Sequence, residues 1–184
     1  MIKTFNSRIK ARIRKNRQIL NKNIDSIFGW IKGAKLVELK ECNTEEDPVR
    51  PELDNEFRTG YGRKIYGVEY QEEIHAVMCF AYTNKIPKSV EELEKLSTDA
   101  FLQTAMRDQA GGQIAIAYTV WSKKKGGGKL IVKEVFKKIK KSNHLNRLVT
   151  LSPLTEMATK FHTRNGAKLV QINETTQNFE YKVL

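Results

Sequence analysis

The chain is 184 residues long, with 40% hydrophobic and 29% charged residues and a formal net charge of +12. These values fit one globular domain with a sizeable core, and they exclude an intrinsically disordered polypeptide. The longest uncharged apolar runs, residues 76–82 and 114–121, are too short to cross a bilayer.

The cysteines and the N-terminal sequence indicate the cellular compartment in which the protein is expected. Cys42 and Cys79 have no CxxC spacing, so we expect reduced thiols. The N-terminus is basic but lacks the continuous apolar segment of a signal peptide. We therefore expect a cytoplasmic protein without a transmembrane segment.

The positive charge is concentrated in two segments. Residues 1–35 carry ten Lys or Arg and one acid, and residues 123–141 carry nine Lys and one acid. Between Glu41 and Glu56 the sign reverses, with seven acids against one base. This patterning indicates different partners for different faces of the protein, and the basic segments make nucleic acid one candidate partner.

The first predicted element is a basic amphipathic helix, or a pair of helices, from Ile2 to Ile31. Its apolar residues recur at steps of three and four, and Gly33 is a natural stop. We take 1–33 as an extension that precedes a domain at 34–184. Two candidate roles of this segment are binding to nucleic acid and contact with an anionic membrane. The length of its apolar stripe favours packing on the core or contact with a partner, which leaves an oligomer open.

Strands and helices alternate through the rest of the chain. Period-two and β-branched patterns predict strands at 36–39, 64–70, 74–83, 113–122, 147–151, 168–172 and 179–183. Helical periodicity predicts helices at 90–106, 129–141 and 155–165. The acidic stretch 41–56 is predicted as a loop or irregular helix. This order predicts an α/β or α+β sandwich with a mostly antiparallel sheet.

A lysine- and glycine-rich turn lies between a predicted strand and a predicted helix. Lys123-Lys124-Lys125 is followed by Gly126-Gly127-Gly128. Glycines let the main chain approach a ligand closely, and a helix start presents N–H groups to a phosphate. The turn therefore predicts a site for a phosphorylated ligand, although lysine-glycine runs also form flexible surface turns.

The region after residue 64 resembles the GNAT (Gcn5-related N-acetyltransferase) superfamily. The family's phosphate loop reads Gln/Arg-x-x-Gly-x-Gly/Ala after its fourth strand, and Lys123, Gly126 and Gly128 stand at those positions. Downstream, Met157-Ala158-x-x-Phe161-His162 and Gly166 are similar to the family's small-x-x-Phe-Tyr-x-x-x-Gly run. The resemblance implies an acyl-CoA N-acyltransferase-like domain, with a mixed, mostly antiparallel sheet flanked by helices.

The resemblance also implies a ligand and the residues that hold it. The ligand is an acyl-CoA, most often acetyl-CoA, with its diphosphate on the amides of the glycine turn and its pantetheine beside the preceding strand. The residues carried over as cofactor-binding are Tyr118, Val120, Trp121, Lys123, Lys124, Lys125, Gly126, Gly127, Gly128, Lys129, Ser152, Met157 and Phe161.

The implied reaction is direct attack of an amine on the thioester, which needs one proton removed and one supplied. His162 stands where the family commonly has the tyrosine that protonates the thiolate, and a histidine titrating near neutrality gives a different pH profile. A polar surface histidine is the competing interpretation. Tyr118 and Tyr181 are alternative acids. The candidate bases, all near the predicted hairpin, are Glu69, Glu72, Glu73 and His75.

The acidic stretch 41–56 lies where family members often bind the acceptor. It is either a site for a cationic amine or a solubilising loop. The three histidines lack metal-ligand spacing, so we expect no metal. Two other functions stay open: a basic nucleic-acid-binding protein, and a non-catalytic module of the same fold.

Overall fold

The computed structural model describes residues 29–107 and 112–181. Within this part of the chain an eight-stranded sheet forms the centre of the molecule. Its strands are β1 (Lys35–Leu39), β2 (Lys64–Tyr70), β3 (Glu73–Thr83), β4 (Ile114–Ser122), β5 (Arg147–Thr150), β6 (Ser152–Pro153), β7 (Ala167–Ile172) and β8 (Thr176–Tyr181). They lie in the order β1-β2-β3-β4-β5-β8-β6, with β7 on the other edge of β8. The β4–β5 pair is parallel and the others are antiparallel, which confirms the predicted mixed sheet.

The helices of the described residues pack on both faces of this sheet. They are α1 (Trp30–Gly33), α2 (Asn55–Thr59), α3 (Val90–Arg107), α4 (Gly127–Lys140) and α5 (Glu156–Arg164), with 3-10 turns at Thr44–Glu46 and Gly60–Gly62. On one face α4 buries Ile131 and Val135 against β2, β3 and β4. On the other face Phe57 of α2 and Leu93 of α3 pack beside Ile116 and Tyr118.

Local sequence signals explain where the helices begin and end. The Ser89 hydroxyl accepts a hydrogen bond from the Glu92 N–H at 3.2 Å and so caps the start of α3. The Thr155 hydroxyl caps α5 in the same way through the N–H of Ala158. Gly166, at φ +89°, ends α5 in the left-handed conformation that glycine adopts without strain.

Two predictions at the ends of the chain have different outcomes. Most of the helix predicted from Ile2 to Ile31 lies outside the described residues, which begin at 29, while Gly33 ends α1 as expected. The last strand was predicted at 179–183, but β8 already begins at Thr176. The first residues of β8 are polar and do not show the apolar pattern of a strand. Asn178 is nevertheless fully buried, and its Nδ2 donates to the carbonyl of Thr150 at 2.8 Å.

Candidate functional site

The site begins where two parallel strands separate. β4 and β5 pair from Ile114 with Arg147 to Ala117 with Thr150. The last bond between them runs from the Leu151 N–H to the Ala117 carbonyl at 2.9 Å. Beyond this bond, β4 continues to Ser122. The residues that follow β5 instead form β6, which pairs with β8. The sheet is therefore split on one side of this point.

A bulge in β4 lies at the same point. Opposite β3, Cys79 pairs with Thr119 and Phe80 pairs with Ala117, so Tyr118 is an extra residue. A bulge bends its strand and interrupts the alternation of side chains. Tyr118 is buried on the α2 face, next to Phe57 with ring centroids 5.9 Å apart. The bend turns the second half of β4 away from β5.

A cavity of about 240 Å³ occupies the split. One wall is the free half of β4, with Thr119, Val120 and Trp121, and the opposite wall is α5 with Phe161 and His162. Among the described residues, no Asp, Glu, Lys or Arg lines this cavity. The lining residues are Pro48, Val49, Met78, Ala117, Tyr118, Thr119, Val120, Trp121, Ser122, Gly128, Leu148, Thr150, Ser152, Pro153, Thr155, Met157, Ala158, Phe161, His162 and Tyr181.

The glycine turn starts α4 at the mouth of this cavity. Gly126 has φ +88°, and no side chain of the described residues caps the helix start. The first N–H groups of a helix lack intrahelical partners, so this end can receive an anion. A Cβ on Gly128 would lie 3.0 Å from Cε2 of Phe161, which shows how closely α4 and α5 approach.

A second cavity continues from the first between α4 and α5. Its volume is about 680 Å³, and Gly128, Met157 and Phe161 line both spaces. Its wall includes the cations Lys129, Lys160 and Arg164 and a single acid, Glu156, which is ion-paired to Lys160. A polar, cationic space thus adjoins a narrow, apolar one.

A chain of polar side chains lines the inner end of the first cavity. His162 is 5% exposed, and its Nδ1 and Nε2 lie 2.9 Å from the Tyr181 hydroxyl and 2.8 Å from the Ser152 hydroxyl. Ser152 donates to the hydroxyl of Thr150 at 3.0 Å. A consistent arrangement has Tyr181 donating to Nδ1 and Nε2–H donating to Ser152.

Burial corrects two expectations about His162. It lowers the pKa of the imidazole to about 4, because the charged form is poorly solvated there. The expected titration near neutrality is therefore wrong, and so is the surface-histidine interpretation. Burial also raises the pKa of Tyr181. At pH 7 both groups are neutral and act through hydrogen bonds.

Residues 44–50, which we call the strap, are the part of the acidic stretch that is hydrogen-bonded to β4. Asp47 is 1% exposed and accepts from the Thr119 hydroxyl at 2.8 Å and from Nη2 of Arg58 at 2.9 Å. The Arg50 guanidinium donates to the carbonyl of Tyr118 at the bulge. Glu46 pairs with Lys123 at 2.7 Å. Pro48 and Val49 of the strap line the first cavity, so this part of the acidic stretch belongs to the cavity wall. The acids of 41–56 other than Asp47 are exposed, as the solubilising-loop interpretation predicts.

Solved structures share this architecture. A GNAT-like decarboxylase, GphF, in complex with isobutyryl-CoA is similar at a TM-score of 0.62 and 9% identity, over 82% of this chain and 100% of that chain. The loading GNATL domain of CurA from Lyngbya majuscula gives a TM-score of 0.58 at 12% identity, over 81% and 97% of the two chains. An acetyltransferase from Bacillus subtilis in complex with CoA gives 0.55 at 13% identity, over 82% and 99%. This protein has the GNAT fold.

One further solved structure and two searches by sequence extend the comparison. The chain spans 37% of a malonyl-CoA decarboxylase from Cupriavidus metallidurans, at 17% identity and a TM-score of 0.48. No family model matches the sequence, and no curated protein matches it. What this protein is shown to share with the solved structures is therefore the GNAT fold.

The GNAT fold brings most of the predicted ligand-binding residues together. Those that line one or both cavities are Tyr118, Val120, Trp121, Gly126, Gly128, Lys129, Ser152, Met157 and Phe161. Gly127 lies behind the turn, where a Cβ would meet Cβ of Ser122 at 3.0 Å. Its role is to let α4 start close to the sheet.

Other predicted residues lie outside both cavity walls. Lys123 is ion-paired to Glu46, and Nζ of Lys124 lies 5.2 Å from the ring centroid of Tyr70. Lys125 is exposed and lines neither cavity. Glu69, one of the candidate bases, pairs with Lys35 at 3.3 Å on the β1–β2 edge and also lies outside the cavity walls.

Sequence reasoning missed two cations and the strap's anchor. Lys160 and Arg164 follow Met157 at steps of three and four, so helical periodicity places them on one face of α5. That signal was available in the sequence. The Asp47–Arg58 pair was not, because charged residues are seldom fully buried and their pairing depends on the tertiary fold.

The described residues 29–107 and 112–181 contain no cluster of three or more His, Cys, Asp or Glu side chains arranged to hold a metal ion. The same part of the chain has no helix that is long and apolar enough to span a membrane.

Proposed function

We propose that this protein binds an acyl-CoA in the split between β4 and α5 and transfers the acyl group to an amine. The separation of β4 from β5 after Ala117 carries this proposal. It leaves main-chain groups of the free half of β4 beside a narrow cavity that leads to the uncapped start of α4. An extended pantetheine amide chain can pair with such a strand, and a diphosphate can bind such a helix start.

The two cavities divide the proposed ligand by chemistry. The cationic space with Lys129, Lys160 and Arg164 suits the phosphates, and the uncharged space suits the pantetheine and the acyl group. Two proteins of the same fold support this assignment, because they were crystallised with CoA and with isobutyryl-CoA. The acetyl group remains our first choice of acyl group.

In the proposed reaction the neutral amine nitrogen attacks the thioester carbon, the C–S bond breaks, the nitrogen loses a proton to water, and the thiolate takes up a proton. His162 is neutral at pH 7, so in our proposal it orients the hydroxyls of Ser152 and Tyr181, and one of these supplies that proton. Tyr118 is the second candidate donor. Glu69 is not included, because it lies outside the cavity walls.

Ligand binding is the first test. Acetyl-CoA at 100 times its dissociation constant is expected to stabilise the fold by about 2.7 kcal/mol. Gly126→Glu is expected to abolish this shift, because it adds bulk and negative charge at a left-handed glycine. Lys133→Glu, on the exposed face of α4, is the control and is expected to keep it. Unchanged melting curves with CoA, acetyl-CoA and longer acyl-CoAs would refute the proposal.

The cavity wall favours a second candidate, decarboxylation of a carboxyacyl-CoA. In the part of the chain that the structure describes, no carboxylate lines the first cavity, so an ammonium group would find no carboxylate base there. Loss of CO₂ needs no such base: the C–C bond breaks, CO₂ leaves and the carbon accepts one proton. A protein of the same fold is a GNAT-like decarboxylase.

One pair of assays separates the two reactions. Amine-dependent release of CoA thiol from acetyl-CoA supports acyl transfer. Amine-independent conversion of malonyl-CoA to acetyl-CoA and CO₂ supports decarboxylation. If acyl-CoA binds but neither reaction occurs, the non-catalytic interpretation of the fold is the correct one.

A further inference from the structure

A third cavity lies at the end of α4 that is remote from the candidate site. Its volume is about 550 Å³, and among the described residues it shares no lining residue with the first two cavities. Lys138 lines it, whereas Gly127 starts the helix, so the two positions are roughly 16 Å apart along α4. Pockets that hold small molecules span roughly 300–1,000 Å³, so this space is large enough for a ligand of its own.

Aromatic rings form the floor of the third cavity. Tyr66 of β2 and Phe80 of β3 meet edge to face, with ring centroids 5.8 Å apart. Tyr82 is two residues further along β3, so its ring points to the same face of the sheet. Val135 and Ile139 of α4 form the facing wall. Walls of this composition suit a flat, apolar ring system.

Polar groups that can orient a ligand also line the third cavity. Burial raises the pKa of Tyr82, and the neighbouring Tyr66 adds to this rise. The Tyr82 hydroxyl therefore keeps its proton at pH 7 and can donate a hydrogen bond. Ser142 and His144 line the cavity from the loop after α4, with Oγ of Ser142 3.1 Å from Nδ1 of His144.

The permanently charged side chains of the third cavity are cations. Among the described residues, Lys138 and Lys141 line it and no Asp or Glu does. Nζ of Lys138 lies 5.3 Å from the ring centroid of Tyr66, so a contact with the floor holds this ammonium at the cavity wall. Neither lysine forms an ion pair within the described part of the chain. Glu38, opposite Tyr66 on β1, is paired with Lys64 at 2.7 Å.

The dipole of α4 opposes these cations only weakly. A helix C-terminus carries roughly half a unit of negative charge. Lys137 is paired with Glu134 at 2.8 Å, but Lys138 and Lys141 each add a full positive charge beside the cavity. The local charge is therefore positive and favours an anionic group.

We propose that the third cavity binds a small molecule that joins a planar ring system to an anionic group, either a carboxylate or a phosphate. The ring system packs on the floor of Tyr66, Phe80 and Tyr82. The anionic group pairs with Lys138 and Lys141. Binding here does not depend on the proposed acyl-CoA site, because the two sites have separate walls.

Calorimetric titration of the whole chain with four probes tests both parts of this ligand. Indoleacetate and adenosine monophosphate combine a ring system with a carboxylate or a phosphate, indoleacetamide lacks the charge, and acetate lacks the ring. We expect one of the two ring-bearing anions to bind at least roughly fivefold more tightly than indoleacetamide, and acetate to show no measurable binding. The tighter of the two anions identifies the carboxylate or the phosphate as the preferred group.

Two results of this titration would overturn the proposal. One is that neither ring-bearing anion binds with a dissociation constant below about 1 mM. The other is that indoleacetamide or acetate binds as tightly as they do.

Two neighbouring lysines of α4 provide matched variants. Lys138→Gln is expected to weaken binding of the tighter anion roughly fivefold, because it removes a charge from the cavity wall. Lys137→Gln removes the same charge outside that wall and is expected to leave the affinity unchanged. Equal effects of the two variants would show that the cavity does not supply the binding charge.

The position of the bound probe is checked in two ways. Methyl resonances of Val135, Ile139 and Leu145 are expected to shift during the titration, because these residues line the third cavity. The affinity is expected to be the same in an excess of CoA. Shifts confined to Ala117 and Leu148 of the first cavity, or loss of binding in CoA, would place the probe in the acyl-CoA site and overturn the proposal.

Discussion

The Nδ1 atom of His162 lies 2.9 Å from the hydroxyl of Tyr181, and both side chains are more than nine-tenths buried. The two residues come from α5 and β8, and they meet because β8 pairs with β5 beneath the split. The burial of the imidazole makes the stability of the fold depend on pH.

The first prediction concerns acid destabilisation. The pKa of His162 is about 4 in the folded state and 6.5 in its ordinary environment. The unfolded chain therefore binds more protons between these values, and stability is lost as pH falls from about 6.5 towards 4. We expect His162 to account for about 2–3 kcal/mol of the loss between pH 7.5 and 4.5.

Urea denaturation at the two pH values measures this loss. His162→Gln removes the titration, so the variant is expected to lose less stability on acidification, whatever its stability at pH 7.5. Equal losses in the two proteins would show that His162 is not the group responsible.

The second prediction concerns Tyr118. Its hydroxyl is buried and has no hydrogen-bond partner among the described residues. Removing an unpaired buried hydroxyl relieves a desolvation cost, so Tyr118→Phe is expected to raise the free energy of unfolding by about 1 kcal/mol. If the hydroxyl also serves as a proton donor, the same variant loses activity while gaining stability. Thermal melts and turnover measured on one sample separate these effects.

The third prediction compares two ion pairs. Asp47 and Arg58 are fully buried as side chains, whereas Glu38 and Lys64 are nearly half exposed. Leaving a buried charge unpaired is costly, so Asp47→Asn is expected to lower stability by about 3 kcal/mol or more. Glu38→Gln, the matched control, is expected to cost about 1 kcal/mol or less. Similar costs in urea denaturation would argue against a buried anchor for the strap.

The fourth prediction concerns the contact between α4 and α5. A Cβ on Gly128 would lie 3.0 Å from Cε2 and 3.3 Å from Cζ of Phe161. Alanine improves helix propensity, but this close contact opposes the gain. Gly128→Ala is therefore expected to be about 1 kcal/mol more favourable in a Phe161→Leu background. A double-mutant cycle in urea measures the coupling, and strict additivity would contradict the predicted contact.

The fifth prediction concerns the cationic cavity. Arg164→Glu is expected to weaken CoA binding roughly tenfold, which is about 1.4 kcal/mol, because it reverses a charge in the proposed phosphate space. The salt dependence of binding should fall with it. Lys133→Glu carries the same charge change on α4 outside that wall and should leave the affinity unchanged. Calorimetric titration with CoA at two salt concentrations measures both effects.

Local signals predicted much of the fold from sequence. Ser89 and Thr155 are of residue types that favour helix N-caps, and both cap helices. Gly126 and Gly166 adopt the left-handed conformation that glycine favours in turns. These features depend on residues a few positions apart. They can therefore be predicted without knowledge of the tertiary structure.

The inner part of the site depends on pairings between distant residues. His162 reaches Tyr181 because β8 returns beside β5, and Tyr118 becomes an extra residue only through its register against β3. Asp47 finds Thr119 across 72 positions of sequence. Periodicity carries no information about such contacts, so the neutral His162 and the buried strap could not be predicted from it.

The four residue pairs that join β4 to β5 are the parallel seam of the sheet. Few main-chain bonds therefore join the two halves of the sheet at this point. A molecule that contacts both β4 and α5 would add a second connection between them. We therefore expect a bound ligand to make both halves of the sheet more resistant to heat and to protease.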